Sequence, residues 1–108
     1  MIFRTNFVIH NRSIPTQTLE KAQKYVDMQV IRLCNPYTPK DTGSLIRSAI
    51  LGTVIGSGKV VYNCIYARKQ YYEGKSNSMR GRRWFARMKA DRRTEILKGL
   101  KNIVNGGG

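Results

Sequence analysis

Few residues of the types that perform catalysis occur in this chain of 108 residues. The single histidine, His10, has no serine or cysteine pattern around it that suggests a nucleophilic triad. The carboxylates are scattered, without the spacing of acid–base catalysis or metal binding: Glu20, Asp27, Asp41, Glu73, Asp91 and Glu95. Gly56-Ser57-Gly58 is no phosphate loop, since no Lys-Ser/Thr pair and helix follow it. The sequence therefore predicts a non-enzymatic protein.

The two cysteines, Cys34 and Cys64, are thirty residues apart and form no Cys-x-x-Cys pair. With only one histidine in the chain, a zinc site cannot be assembled from soft ligands. We interpret both cysteines as free thiols of a protein made in a reducing cytoplasm. We expect no cofactor and no metal.

The charge of the chain is strongly positive, with 20 Lys and Arg against 6 Asp and Glu, a net charge of +14. This excess predicts an acidic partner: nucleic acid, an anionic membrane surface or an acidic protein surface. No apolar run approaches the length of a membrane span, so we expect no membrane insertion.

Half of the excess charge lies between residues 80 and 101, where nine bases face Asp91 and Glu95. Part of it is explained by a solvated helix face with pairs such as Arg87–Asp91. The remainder predicts contact with DNA, where Trp84 or Phe85 stacks beside bound phosphate, or with an acidic neighbouring protein. Both readings stay open, and the candidate contact residues are Arg80, Arg82, Arg83, Arg87, Arg92 and Arg93.

Two segments have the apolar periodicity of amphipathic helices. The first, about 15–34, places Leu19, Ala22, Val26, Val30 and Leu33 within an arc of roughly 80°. The second, about 83–104, carries Phe85, Met88, Ile96, Leu100 and Ile103 on one stripe. Gly99 weakens this second helix by up to ~1 kcal/mol relative to alanine.

The remaining segments predict short strands and turns. Residues 2–9 and 49–55 read as strands, and 59–66 as the hairpin partner of 49–55 across Gly56-Ser57-Gly58, after a short helix at about 42–48. We expect an α+β fold in which a small, mainly antiparallel sheet of three to four strands carries both long helices. We treat 1–108 as a single domain, with a mobile basic loop at 74–82 and a frayed tail at 105–108.

Four of the six tyrosines lie between residues 62 and 72. We expect Tyr62 and Tyr66 in the core or at its rim, and Tyr71 and Tyr72 available to partners. The segment from Pro36 to Gly43 contains two prolines, which stiffen it for docking with little entropy lost.

The order of several short motifs resembles a known family. The motifs are Pro36-x-x-Pro39-x-Asp41-Thr42-Gly43-x-Leu45-x-x-Ser48, a strand pair, Tyr66-Ala67-x-x-x-Tyr71 and Trp84-Phe85. Together they resemble the small minor capsid proteins of long-tailed bacteriophages, which belong with the head–tail joining (neck or tail-completion) proteins. The resemblance covers roughly residues 2–104.

The resemblance implies a subunit of a homo-oligomeric ring at the head–tail junction of the virion, assembled in the host cytoplasm. Its neighbours would be the connector or adaptor protein and the tail terminator, with genomic double-stranded DNA passing along the ring axis. We expect the subunit or partner interface to include Pro36, Pro39, Asp41, Thr42, Tyr71, Tyr72 and Trp84. The alternative, to which the charge alone points, is a stand-alone basic nucleic-acid-binding domain.

Overall fold

The computed structural model describes residues 1–5, 15–39, 43–76 and 79–106. Within these ranges the strands are β1 (Ile2–Arg4) and β2 (Lys59–Val61), and the helices are α1 (Thr16–Cys34), α2 (Ser44–Gly52), α3 (Ala67–Glu73) and α4 (Trp84–Gly106). A short 3-10 turn, Asn35–Tyr37, follows α1 directly. The class is α+β, as the sequence predicts.

Both long helices are confirmed, with bounds close to those expected. The apolar stripe of α1 is buried from Ala22 to Leu33, whereas Leu19 at its start is 39% exposed. The opposing stripe of α4 buries Trp84, Met88, Ile96 and Leu100. The two helices pack against each other more extensively than any other pair of described elements.

Gly99 has a packing reason to interrupt α4. A Cβ at this position would overlap the hydroxyl and ring of Tyr25, which crosses α4 from α1. The missing side chain therefore lets the two helices approach closely. The loss of helix propensity at Gly99 is the cost of that approach.

The described sheet has two strands, so the expectation of three to four strands is not confirmed. β1 pairs antiparallel with β2, with Ile2 opposite Val61, Phe3 opposite Val60 and Arg4 opposite Lys59. The prediction that residues 49–55 form the hairpin partner of 59–66 is therefore wrong. Residues 6–9 of the first predicted strand lie outside the described residues.

Residues 49–55 contain the end of a helix and the start of a turn. α2 begins at Ser44, later than predicted, and continues through Ala49 to Gly52. Leu45 and Ala49 face the core, while Leu51 is 84% exposed. A short run that is apolar at every position fits a buried strand and a helix equally well, which explains the error.

The turn after α2 is bound to a buried carboxylate on α1. Asp27 Oδ2 accepts hydrogen bonds from the backbone N–H of Gly56 (2.8 Å) and of Gly58 (3.1 Å), which both have positive φ. Its Oδ1 accepts from Thr5 Oγ1 (2.7 Å) and Gln23 Nε2 (2.9 Å). Asp27 thus joins α1 to the end of β1 and to the turn that leads into β2.

An aromatic cluster fills the space between the sheet and the start of α4. Phe3 stacks on Phe85 with ring centroids 4.6 Å apart, and Trp84 meets Tyr62 at 5.3 Å and Tyr71 at 4.8 Å. Trp84 and Tyr62 are fully buried. Tyr62 therefore lies in the core as expected, whereas Tyr66 is 40% exposed.

The two cysteines are free in the structure. Cys34 is buried at the end of α1 and Cys64 is half-buried. Burial raises the pKa of the Cys34 thiol to about 12, so this side chain stays protonated at neutral pH.

Candidate functional site: a basic surface at the start of α4

The segment that leads into α4 is fixed by backbone hydrogen bonds to two tyrosine residues. The N–H of Gly81 donates to the carbonyl of Tyr37, and the N–H of Arg83 donates to the carbonyl of Tyr71, both at 2.9 Å. The Tyr71 hydroxyl also accepts from the N–H of Ala86 at 3.2 Å, which occupies an otherwise free donor in the first turn of α4. The loop therefore enters α4 on a defined path.

Two of the predicted contact arginines are structural. Arg80 Nη1 donates to the carbonyls of Asn35 (2.6 Å) and Thr38 (2.7 Å), which caps the end of the 3-10 turn. Arg87 donates to the carbonyls of Arg82 (2.8 Å) and Met79 (2.7 Å). Both guanidinium groups are therefore engaged in hydrogen bonds within the protein itself.

Arg87 and Asp91 do not form the pair expected from their spacing. The Arg87 guanidinium lies over the ring of Tyr37, 5.6 Å from its centroid. Asp91 Oδ2 instead accepts a hydrogen bond from the Tyr37 hydroxyl at 2.9 Å. Tyr37 therefore joins the end of α1 to α4 through three of its groups: ring, hydroxyl and carbonyl.

Arg82 and Arg83, just before α4, are both exposed. Arg83 has φ of 52°, a left-handed conformation that is uncommon for a residue other than glycine, and its guanidinium lies 5.4 Å from the Tyr72 ring centroid. A shallow groove of about 470 Å³ lies between them, lined by Ser76, Arg82, Arg83, Ala86, Arg87 and Ala90.

The last two predicted arginines lie further along α4. Arg93 is exposed and follows Ala86 and Ala90 at helical spacing, so it extends the groove-side face by one turn. Arg92 pairs with Glu95 at 2.7 Å. A hydrogen bond with Tyr37 and the pairing with Glu95 raise the pKa of Arg92. We define the basic surface as Arg82, Arg83, Arg87 and Arg93.

The residues predicted for a partner interface are divided between surface and core. Trp84 is completely buried and Tyr71 is 5% exposed, which corrects their placement at a partner contact. Both belong to the aromatic cluster, because a hydrophobic ring adjoining a basic loop is ambiguous in sequence alone. Tyr72 is 47% exposed, in agreement with its predicted availability.

The proline segment is only partly described. Pro36 is exposed at the 3-10 turn and Pro39 is half-buried. Asp41 and Thr42 lie outside the described residues, so their predicted role stays a prediction. The same holds for the mobility of residues 74–82, of which 77 and 78 are not described. Arg80 and Gly81, at the end of that loop, are held by the bonds given above.

Sequence reasoning missed the structural role of Tyr37 and of Asp27. Tyr37 lies between two prolines, and an aromatic residue in such a rigid segment is a signal of docking onto the core. Asp27 adjoins the buried position Val26 and follows Gln23 by one turn, but its turn partners are far away in sequence. No local pattern identifies such partners.

The described part of the basic surface offers exposed positive charge. No group of three His, Cys, Asp or Glu side chains among them could hold a metal ion. Within the described ranges, no helix has both the length and the apolarity that crossing a bilayer requires. Exposed guanidinium groups around a shallow groove suit phosphate or carboxylate groups of a partner.

The described chain is thus a small α+β protein with a buried aromatic and aliphatic core and an exposed basic surface. A protein-family model described as "Minor capsid protein" matches residues 3–100, so the chain belongs to that family. The family resemblance read from the motifs is thereby confirmed, and the family is structural and virion-located in kind. Searches of curated proteins and of solved structures found no match.

Proposed function

We propose that this chain is a non-enzymatic subunit of the phage virion neck, forming a ring that joins the DNA-filled head to the tail. Its neighbours in this role are the connector or adaptor protein on one side and the tail terminator on the other. The family match over residues 3–100 and the order of the motifs support this proposal. Closed cyclic symmetry is the physical expectation for such a ring.

The observation that supports the contact mechanism is that the arginines near the start of α4 are of two kinds, some bound to the protein's own backbone and others exposed. Arg80 and Arg87 donate to backbone carbonyls, whereas Arg82 and Arg83 are exposed beside the groove. The bonds of Arg80 and Arg87 hold the backbone between them in place. Arg82 and Arg83 therefore start from a defined backbone position, and little backbone entropy is lost on binding. We propose that the basic surface steers the subunit to an acidic neighbouring surface during joining.

The net charge still supports the alternative function, a stand-alone nucleic-acid-binding domain. That function loses the stacking contact expected of Trp84, because that ring is buried. The exposed arginines can still contact phosphate groups, but such contacts carry no sequence information. The family assignment therefore favours the assembly role.

The test is a charge reversal in a phage-complementation assay. Arg82→Glu with Arg83→Glu should leave the fold intact, since exposed charges seldom change stability by more than ~0.5 kcal/mol. It should yield filled heads and separate tails with few joined particles, counted by electron microscopy. The matched control is Lys98→Glu with Lys101→Glu, which removes the same charge from exposed positions further along α4 and should join normally.

Three outcomes would contradict the proposal. Normal joining by the Arg82/Arg83 variant would make the basic surface a solvated helix face. Equal failure of the lysine control would show that net charge matters and this surface does not. Absence of filled heads would assign the protein to an earlier step. For the alternative function, the same variant should lose DNA binding in a salt titration.

A further inference from the structure

A second surface lies at the junction of α2 with the sheet, and the basic surface does not include it. Its apolar members are Leu51 and Val54, which are 84% and 73% exposed, and Ile2, which is 57% exposed. Its charged members are Arg4, Arg47 and Lys59, all exposed. We call these six residues the α2–β2 patch.

One hydrogen bond and the strand pairing place the segments that carry these residues next to one another. Thr53 Oγ1 accepts from the N–H of Val61 at 2.9 Å, so the end of α2 covers the outer edge of β2. Leu51 and Val54 flank this junction in sequence. Ile2 lies directly opposite Val61 in the sheet. A groove of about 340 Å³ continues from Leu51 along α2 to Arg47 and Asn63.

The pairing of Arg4 with Lys59 is electrostatically unfavourable within the subunit. The adjacent pairs, Phe3 with Val60 and Thr5 with Gly58, lie on either side, and Thr5 N–H donates to the Gly58 carbonyl at 3.0 Å. Arg4 and Lys59 therefore form the non-hydrogen-bonded type of pair, in which side chains are closest. Like charges directly opposite each other destabilise a sheet.

The acidic residues of the described chain either form hydrogen bonds or ion pairs with other residues or lie on other helices. Asp27 is buried in its hydrogen-bond network, Asp91 accepts from Tyr37, and Glu95 pairs with Arg92. Glu20 and Glu73 are exposed on α1 and α3. Across the described residues, no ion pair joins an acid to Arg4, Arg47 or Lys59, so their charge faces solvent.

We propose that the α2–β2 patch docks onto a different protein chain whose surface has an apolar centre and a rim of carboxylates. The apolar side chains supply desolvated contact area at the centre, and the bases match the rim. Charge complementarity favours this occupant over a second copy, because each copy carries +14. An apolar centre also fits a phosphate backbone poorly. The inference rests on the assembly role proposed above and specifies the contact between layers of the neck.

The test is photo-crosslinking during phage assembly in a host that inserts a benzophenone amino acid. The probe is Leu51→p-benzoylphenylalanine, and the control probe is Met28→p-benzoylphenylalanine, at a position that is 57% exposed on α1. We expect position 51 to crosslink to a different virion chain at a peptide flanked by Asp or Glu, identified by mass spectrometry. Position 28 should give little of this product.

A second arm tests the charge contribution. Lys59→Glu places an acid opposite Arg4, so the isolated protein should fold at least as stably. The crosslink from position 51 should fall about tenfold, because a carboxylate would then face the partner's carboxylates. Lys98→Glu, at an exposed position on α4, should leave the crosslink unchanged.

The proposal is overturned by a crosslink to a second copy, by a crosslink to lipid, by a yield no higher than at position 28, or by a yield that Lys59→Glu leaves unchanged. The experiment can distinguish failure of this docking proposal from failure of the neck assignment. If position 51 crosslinks to an acidic-rimmed chain elsewhere in the virion, the patch is correct and the neck location is wrong.

Discussion

At the residue scale, Asp27 is a buried carboxylate that forms no ion pair with any cation among the described residues. Its two oxygens accept from a hydroxyl, a side-chain amide and two backbone N–H groups. These hydrogen bonds offset the loss of hydration that burial of the carboxylate costs. The same bonds determine the path of residues 56–58, since without them the partly buried N–H donors of Gly56 and Gly58 would lack these partners.

Replacement of Asp27 by asparagine should therefore destabilise the protein. An amide NH₂ in place of one oxygen would either face the N–H donors of Gly56 and Gly58, or face Thr5 and Gln23, whose hydrogen bonds would then have to rearrange. We expect a loss of about 2–4 kcal/mol in the free energy of unfolding, because unsatisfied buried polar groups cost about 1–3 kcal/mol each. Urea unfolding measures this change.

Glu20→Gln is the matched control for that measurement, since Glu20 is an exposed acid on the same helix. It should change the free energy of unfolding by no more than about 0.5 kcal/mol. A loss below about 1 kcal/mol for Asp27→Asn would show that the turn finds other partners, contrary to the role assigned here.

At the element scale, α1 and α4 could be predicted because each carries its own signal. Their apolar residues repeat with the helical period over many turns, and no other chain segment is needed to recognise them. Residues 49–55 could not be assigned in this way. Their true conformation depends on Asp27 and on the pairing of β2 with β1, both distant in sequence.

The sequence could predict that the candidate site is basic, but not which of its residues are exposed. The run of bases from Arg80 to Arg93 is evident in the sequence and indicates an acidic partner. Which arginines are exposed depends on the carbonyls of Asn35 and Met79, and on the Tyr37 ring. Trp84 was misplaced because its neighbours in the aromatic cluster come from β1, α3 and the segment after β2.

The crossing of α1 and α4 provides a prediction at this scale. Gly99→Ala should destabilise the protein by about 1–3 kcal/mol, because the new methyl group would overlap Tyr25 and force repacking. In a Tyr25→Ala background the same substitution should stabilise by up to about 1 kcal/mol, since only helix propensity remains. The four proteins are compared by urea unfolding.

The reversal of sign is the decisive feature of that comparison. If Gly99→Ala stabilised both backgrounds equally, Tyr25 would move aside at no cost and Gly99 would have no packing role. If it destabilised both equally, the conflict would involve another part of the helix crossing.

At the scale of the whole molecule, the described chain is elongated, with extents of 44 × 24 × 18 Å. The basic surface belongs to the start of α4, and the α2–β2 patch to the junction of α2 with the sheet. The proposed role as a ring subunit between two layers requires separate contacts for each layer, and these two surfaces differ in chemistry. One consists of arginines, whereas the other combines exposed apolar side chains with exposed basic ones.

The net charge of +14 makes the folded subunit repel itself. Salt screens this repulsion, since the Debye length falls from about 30 Å at 0.01 M to about 3 Å at 1 M. We expect the melting temperature to rise by about 4–8 °C between low and high sodium chloride, if about 1 kcal/mol of repulsion is relieved. Differential scanning calorimetry measures it directly.

The reversed variant Arg82→Glu with Arg83→Glu is the comparison for the salt experiment. Each reversal removes two units of charge, so the formal net charge falls from +14 to +10. Its melting temperature should rise less with salt than that of the parent protein, because less repulsion is left to screen. A fall in the melting temperature with salt would show that ion pairs such as Arg92–Glu95 outweigh the net repulsion. Equal rises in both proteins would instead show that charges away from the start of α4 dominate the self-repulsion.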